Sequence, residues 1–168
     1  MYIAFLRGIN VSGKNKISME SLKTMMLDLG CREVKTYLNT GNIVFDKVLG
    51  EETIEMKIKN TFDLDISVIV VEHDVLKEVI ASYTLSDGSI NAYITLFKSS
   101  VSALEDIIDP VKKDDDEYLF FDKHLCLYVP SGYGRTKITN NYLERKTKVK
   151  ATTRNMKTLM KVCELSVS

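Results

Sequence analysis

The sequence predicts an α+β fold made of two ferredoxin-like halves, each with an antiparallel sheet and helices packed on it. Strand, helix, strand, strand, helix and strand patterns follow one another in the first 72 residues, and most of this order returns afterwards. The composition is that of an ordinary globular protein, with 45% hydrophobic and 27% charged residues, 8 Gly and 2 Pro among 168 residues. A chain of this length can bury one medium core or two small ones.

The first half opens with a continuous apolar run at Tyr2–Leu6, which is typical of a strand buried on both faces. A helix follows, because Ser18 stands in the N-cap position and Gly30 in that of a C-terminal cap. Its apolar stripe is Met19, Leu22, Met25, Met26 and Leu29.

A hairpin comes next, with strands at residues 34–38 and 43–45 and a turn at residues 39–42. Asn and Gly in that turn tolerate a positive φ. Ile54, Ile58 and Phe62 recur at helical spacing, and residues 66–71 form another apolar strand, which completes the βαββαβ order.

The second half repeats this pattern after a helix over residues 75–83 and a polar turn at residues 86–89. Residues 92–97 are a predicted strand, and Ser102 with Glu105 forms a predicted capping box for a short helix. Pro110 ends that helix, and an acidic loop continues to Glu117.

The rest of the second half contains a hairpin with strands at residues 118–121 and 125–129 and a turn at 122–124. A helix at residues 141–146 and a short strand at 149–152 follow. The last helix carries Met156, Leu159, Met160 and Cys163 on one stripe, with Thr153 as its cap. We therefore predict a domain at residues 1–72 and another at 73–168, with one compact unit as the alternative.

Several function classes are disfavoured by composition. No apolar run approaches the roughly 20 residues of a membrane span, and the N-terminus lacks the basic region of a signal peptide. Three cysteines without C-x-x-C spacing argue against a disulfide framework or a zinc site. We expect a soluble, cytoplasmic protein without a metal or cofactor and without membrane association.

Charge is distributed unevenly, although the formal net charge is zero. Residues 73–122 contain 4 basic and 11 acidic residues, whereas residues 123–168 contain 10 basic and 2 acidic residues. Such asymmetry can mark a basic face for a phosphate-bearing partner. The alternative is that the two segments pack side by side and neutralise each other.

The loop after the first strand is the first candidate site. Residues 8–14 match the G-x-x-x-x-G-K pattern, but Asn15 stands where a phosphate-binding loop needs Ser or Thr for magnesium. The predicted hairpins also contradict the parallel sheet of that class. Arg7, Lys14 and Lys16 around glycine amides could still hold an anion. A solvated connection is the alternative.

Two further polar loops are candidates. Residues 131–137 combine glycines, Tyr133, Arg135 and Lys137, a composition suited to phosphate or nucleic acid. Residues 152–155 precede the last helix, where free amides and Arg154 would favour an anion. Surface loops and helix capping explain the same residues without a ligand.

Catalytic signals are weak. The two histidines, His73 and His124, stand in no recognisable catalytic motif. The acidic run at residues 114–117 lacks the spacing of a calcium loop.

Residues 3–11 and 13–15, the segments 36–38 and 40–42, and the late segments 137–140 and 151–155 together resemble the mostly bacterial family called domain of unknown function 1697. The resemblance runs from the first strand to the last helix and implies an α+β fold with two ferredoxin-like halves. Ser12, Thr40 and Met156 depart from the family's usual Gly, Ser and Trp. The resemblance transfers no catalytic residues.

The leading hypothesis is a protein that binds an anionic, phosphate-bearing ligand such as a nucleotide or nucleic acid. The alternatives are a small enzyme acting on a phosphorylated metabolite, in which His73 or His124 would move protons, and a protein-interaction scaffold. The predicted ligand-binding residues are Arg7, Asn10, Lys14, Asn42, Arg135, Lys137, Asn140, Arg154 and Asn155.

Overall fold

The chain forms two four-stranded antiparallel sheets with helices packed on them, as seen in a computed structural model that describes residues 1–86 and 90–167. The elements are β1 (Tyr2–Leu6), α1 (Met19–Asp28), β2 (Val34–Tyr37), β3 (Asn42–Phe45), α2 (Glu51–Phe62), β4 (Val68–Glu72), α3 (His73–Ala81), β5 (Ala92–Phe97), α4 (Glu105–Ile108), β6 (Glu117–Phe120), β7 (His124–Tyr128), α5 (Asn140–Thr147), β8 (Ala151–Asn155) and α6 (Met156–Leu165). A 3-10 helix at Tyr133–Arg135 lies between β7 and α5. The predicted α+β class is confirmed.

The chain divides into two compact units. Unit 1 contains Met1–Lys77 and the C-terminal residues from Lys161 onward, and unit 2 contains Glu78–Met160. The division therefore falls inside α3 and inside α6.

The sheet of unit 1 has the strand order β2-β3-β1-β4, which is the ferredoxin-like order. Alternate residues of β1 face the helices, and Ala4 and Leu6 lie in one core with Phe45 of β3 and Ile54 of α2. Ile3 and Phe5, on the opposite face, are also buried. The prediction that β1 is buried on both faces is confirmed.

The sheet of unit 2 repeats this arrangement as β6-β7-β5-β8. Its core brings Phe97 of β5 and Leu125 of β7 together with Ile108 of α4 and Leu143 of α5. Both units therefore use the βαββαβ order with the last strand at an edge.

The edge strands β4 and β8 are covered in the same way, although the two halves show no obvious sequence repeat. Glu55 of α2 accepts a hydrogen bond of 2.9 Å from the amide of Val68, and Glu144 of α5 accepts one of 3.0 Å from the amide of Ala151. Exposed strand edges invite pairing with other chains. A helix carboxylate satisfies the first amide of β4 and of β8, so that this donor is not open to pairing with another chain.

The predicted capping box at Ser102 and Glu105 is wrong. Ala103 has a φ of 55°, in the left-handed region, so the helical conformation cannot start there. Leu104 is the N-cap residue of α4 and makes no side-chain capping bond.

The cap of the last helix is also different from the prediction. Thr153 lies within β8, which extends to Asn155 rather than ending at residue 152. Asn155 is the capping residue, because its Oδ1 accepts a 2.8 Å hydrogen bond from the amide of Thr158. Leu159 is buried as predicted, but Met160 is 56% exposed.

Two predicted turns have different outcomes. His124, which the sequence places in a hairpin turn, is the first residue of β7. The turn predicted at residues 86–89 falls largely on residues 87–89, which lie outside the described residues.

Candidate functional site

The loop that joins β1 to α1, residues 7–17, has an unusual backbone. Five of the eight residues from 8 to 15 have positive φ values, and three of these five, Asn10, Ser12 and Asn15, are not glycine. Left-handed residues that alternate with other conformations can direct neighbouring amide groups toward one point, as in anion-binding nests. Two amides of this loop bond within it, that of Asn10 to the carbonyl of Asn15 at 3.1 Å and that of Lys14 to the carbonyl of Val11 at 2.9 Å. We call residues 7–17 the first loop.

Asn10 organises the first loop through its side-chain amide. Its Oδ1 accepts from the amide of Ile17 at 2.9 Å, and its Nδ2 donates to the carbonyl oxygens of Ile17 at 2.8 Å and Asn39 at 2.7 Å. Asn15 donates from Nδ2 to the carbonyl of Gly8 at 2.9 Å. The predicted ligand residue Asn10 therefore uses its side chain to hold the loop in shape.

The turn between β2 and β3 packs against the first loop. Gly41 has a φ of 86° and lies so close to β1 that a Cβ atom there would be 2.7 Å from Cβ of Leu6 and 2.9 Å from Cδ1 of Ile9. Asn42, another predicted ligand residue, is fully buried and donates to the carbonyl of Tyr37 at 2.8 Å and to Oγ1 of Thr40 at 3.0 Å. Its side chain thus ties the turn together.

Three cations belong to the first loop. Arg7 is half-buried, whereas Lys14 and Lys16 are exposed. Val11 is 55% exposed in the same loop, and Leu38, which follows β2 in the adjoining turn, is 51% exposed with a φ of 57°. The loop therefore presents positive charge and apolar surface on a backbone that hydrogen bonds fix.

In unit 2, the loop at residues 131–137 uses its aromatic residue internally. The Tyr133 ring lies 4.8 Å from the Tyr93 ring, centroid to centroid, and its hydroxyl accepts a 2.8 Å hydrogen bond from the amide of Asn140. Burial raises the pKa of the Tyr133 hydroxyl. Tyr133 thus serves internal packing and hydrogen bonding, whereas the side chains of Arg135 and Lys137 are exposed.

Asn140 belongs to a hydrogen-bond network that joins α5 to β8. Its Oδ1 accepts from Oγ1 of Thr153 at 2.9 Å, and its Nδ2 donates to the carbonyl of Ala151 at 3.0 Å. Thr153 also lies 2.7 Å from Oγ1 of Thr95, which is 1% exposed. A partly buried network of this kind fixes the position of the edge strand β8.

Arg154 lies in β8 rather than at a helix N-terminus. Its Nη1 donates to Oγ1 of Thr152 at 2.6 Å and to the carbonyl of Thr153 at 3.1 Å. Desolvation lowers the pKa of its guanidinium to about 10. Residues 153 and 154 alternate across the sheet, so Arg154 projects to the face opposite the Asn140 network.

The predicted residues therefore fall into two groups, one in each unit. In unit 1 the structure brings the first loop and the β2–β3 turn together, and in unit 2 it brings residues 131–140 together with β8. Asn10, Asn42, Asn140 and Asn155 use their side chains for internal hydrogen bonds.

Sequence reasoning missed the serine partner of each histidine. Nδ1 of His73 lies 2.6 Å from Oγ of Ser166, and Nε2 of His124 lies 2.8 Å from Oγ of Ser82. Both serines directly follow a helix and donate to a carbonyl three residues earlier, that of Cys163 at 2.7 Å for Ser166. A serine just after an apolar helical stripe is a signal for the bonds to the helix carbonyls, but it does not indicate the histidine partners.

These serines are not arranged as nucleophiles. A hydroxyl has one proton, and each serine gives it to a backbone carbonyl, so the imidazole must be the donor in the His–Ser bond. A nucleophile and its base need the opposite polarity.

Throughout residues 1–86 and 90–167, no helix has the length and apolar character needed to cross a membrane. In the part of the chain that the structure describes, no group of three or more His, Cys, Asp or Glu side chains is arranged to hold a metal ion.

The fold defines an α+β protein with two ferredoxin-like halves, and comparison with known proteins adds a family. The model of a family described as "Protein of unknown function (DUF1697)" matches residues 1–125. The chain belongs to this family. The match includes the first loop and the β2–β3 turn and ends before residues 131–155.

A solved structure shares the fold. The conserved bacterial protein SP0830 from Streptococcus pneumoniae superimposes with a TM-score of 0.72 at 21% identity, covering 98% of this chain and 97% of that chain. Among curated proteins, none matches the chain.

Proposed function

We propose that the protein binds a phosphate-bearing anion, such as a nucleotide or a nucleic acid, at the first loop. The observation that supports this most is the five residues with positive φ between Gly8 and Asn15, because such residues can direct amide N–H groups toward a common point. The amides of Asn10 and Lys14 are not among the proposed donors, because they bond within the loop. An anion is the ligand that several amide donors suit.

The cations of the loop support the same ligand class. Lys14 and Lys16 are exposed, and Arg7 lies at the end of β1. Positive side chains beside amide donors raise the local concentration of anions and strengthen their binding. The exposed surface of Val11 and Leu38 offers an apolar contact that inorganic phosphate would not use but a nucleotide base could.

The rigidity of the loop supports binding as well. Asn10 and Asn15 fix the backbone before any ligand arrives, so little conformational entropy is lost on binding. In unit 2, Tyr133 and Asn140 likewise use their polar atoms for internal hydrogen bonds, and Arg135 and Lys137 are exposed. The two loops differ in backbone, because Gly132 is the one residue with positive φ among residues 131–137. For this reason we place the proposed site in unit 1.

We also propose that the protein is bacterial and works in the cytoplasm. Cys31, Cys126 and Cys163 are all free thiols, which suits a reducing compartment. Nucleotides and nucleic acids are also available there.

Calorimetric titration with inorganic phosphate, adenosine monophosphate and single-stranded RNA tests the proposal. We expect saturable binding whose affinity falls as salt is raised, and a loss of about tenfold in the Lys14→Ala, Lys16→Ala double variant. Lys23→Ala, an exposed lysine of α1, is the matched control and should bind like the original protein. Equal affinity of the double variant and the control would refute a site at the first loop.

A further inference from the structure

A cavity of about 220 Å³ in unit 1 lies where β4 meets α3, and it is distinct from the first loop. Its walls include Glu72, His73, Asp74 and Ser166, together with the first two residues of the chain. Drug-sized ligands occupy pockets of roughly 300–1,000 Å³. A cavity of this size suits a smaller molecule. We call it the His73 cavity.

Hydrogen bonding fixes the tautomer of His73. The hydroxyl of Ser166 donates to the carbonyl of Cys163 at 2.7 Å, so its oxygen must accept the 2.6 Å hydrogen bond from Nδ1 of His73. In the neutral imidazole the proton therefore sits on Nδ1, and Nε2 is an acceptor. Because Ser166 is 1% exposed, water does not compete for the hydrogen bonds of its hydroxyl.

Acceptors dominate the walls of the His73 cavity. Nε2 of His73 lies 4.0 Å from Oδ1 of Asp74, and Glu72 adds a second carboxylate. These two carboxylates are the charged side chains among the lining residues, so the side chains of the walls carry negative charge. A matching ligand must be rich in donors and positively charged.

We propose that the His73 cavity binds the ammonium group of a small primary amine. An ammonium has three donors and no acceptor. One nitrogen can reach two acceptors 4.0 Å apart at ordinary hydrogen-bond lengths of roughly 2.8–3.0 Å, so it can bridge His73 and Asp74. A metal ion suits the cavity less well, because no cluster of three ligating side chains exists among residues 1–86 and 90–167.

The test is a titration of the untagged protein with 1,4-diaminobutane at pH 7.5, followed through the imidazole nitrogens of His73 by ¹H–¹⁵N NMR. We expect the free protein to show a protonated Nδ1 and a bare Nε2, and the amine to shift Nε2 saturably. The uncharged 1,4-butanediol, which has the same length, should cause no saturable shift.

Asp74→Asn is the informative variant, because the side chain of Asp74 is 88% exposed and its loss should not affect folding. The variant should bind the diamine about two- to fivefold more weakly. Asp28→Asn, at an exposed carboxylate of α1, should bind it like the original protein. A proton on Nε2, equal shifts with the diol, or unchanged affinity in Asp74→Asn would each overturn the proposal.

Discussion

The side chain of Asn10 pairs with the backbone of Ile17 through two hydrogen bonds, one donated and one accepted, at 2.8 and 2.9 Å. The Asn10 side chain thus makes with the Ile17 backbone the two hydrogen bonds that a residue of a neighbouring β-strand would make, and this closes the first loop. A third bond, to the carbonyl of Asn39, connects the loop to the β2–β3 turn. The shape of the proposed anion site therefore depends on this side chain, together with that of Asn15.

Asn10→Ala should therefore destabilise unit 1. The variant leaves the amide and carbonyl of Ile17 and the carbonyl of Asn39 without their partner, and we expect a loss of about 1–3 kcal/mol in the free energy of unfolding. Urea unfolding measures it. Asn60→Ala, at an exposed position of α2, should change the stability by no more than about 0.5 kcal/mol. Equal stability of the two variants would contradict this role of Asn10.

Gly41→Ala should be more damaging than a comparable glycine substitution elsewhere. The new methyl group would meet Leu6 and Ile9 at less than 3 Å, and Gly41 has a φ of 86°. We expect a loss of about 2–4 kcal/mol, from left-handed strain and overpacking together. Gly50→Ala is the control, since nothing lies within 4 Å of a Cβ there. Thermal unfolding of both variants would show the difference, and similar melting temperatures would count against the close packing.

His124 should make the stability of the protein depend on pH. Burial lowers the pKa of its imidazole below the ordinary value of 6.5, so the unfolded chain binds a proton more readily than the folded one. Its contribution to stability is complete above pH 6.5 and is lost as the pH falls through the lowered pKa.

Two measurements check this expectation for His124. An NMR titration of its imidazole should give a midpoint below 6.5. His124→Gln keeps a donor for Ser82 but cannot titrate, so the variant should lose this part of the pH dependence. A midpoint at or above 6.5 would show that burial does not control this histidine.

Arg154→Lys should destabilise unit 2 although it keeps the charge. The contacts with Thr152 and Thr153 both come from Nη1, and the shorter lysine side chain does not extend to that position, so we expect a loss of about 1–2 kcal/mol. Arg135→Lys, at an exposed position, should be nearly neutral. Denaturant unfolding of the two variants separates these outcomes, and a neutral Arg154→Lys would mean that its hydrogen bonds add nothing.

Much of the fold could be predicted because apolar periodicity and turn residues are local signals. The strand at Tyr2–Leu6, the stripe of α1 and its cap at Ser18 follow directly from the sequence. The errors at α4 and α6 have a common cause. Thr, Ser and Asn can all cap a helix, and the backbone conformation of Ala103 and the length of β8 decide which residue does so.

The candidate sites were harder to predict, because polar residues look alike in sequence whether they bind a ligand or the protein itself. Asn10 stands in a glycine-containing loop and Asn42 directly follows Gly41, as ligand residues often do, yet their amides bond to backbone carbonyls. The His73–Ser166 pair joins residues 93 positions apart. No local pattern could have revealed that contact.

The most direct test of anion binding at the first loop is a ¹H–¹⁵N NMR titration with inorganic phosphate, read amide by amide. The proposed site predicts saturable shifts concentrated at residues 8–16, and smaller shifts in the Lys14→Ala, Lys16→Ala double variant. Shifts confined to residues 131–137, or no saturable shift at low salt, would contradict it.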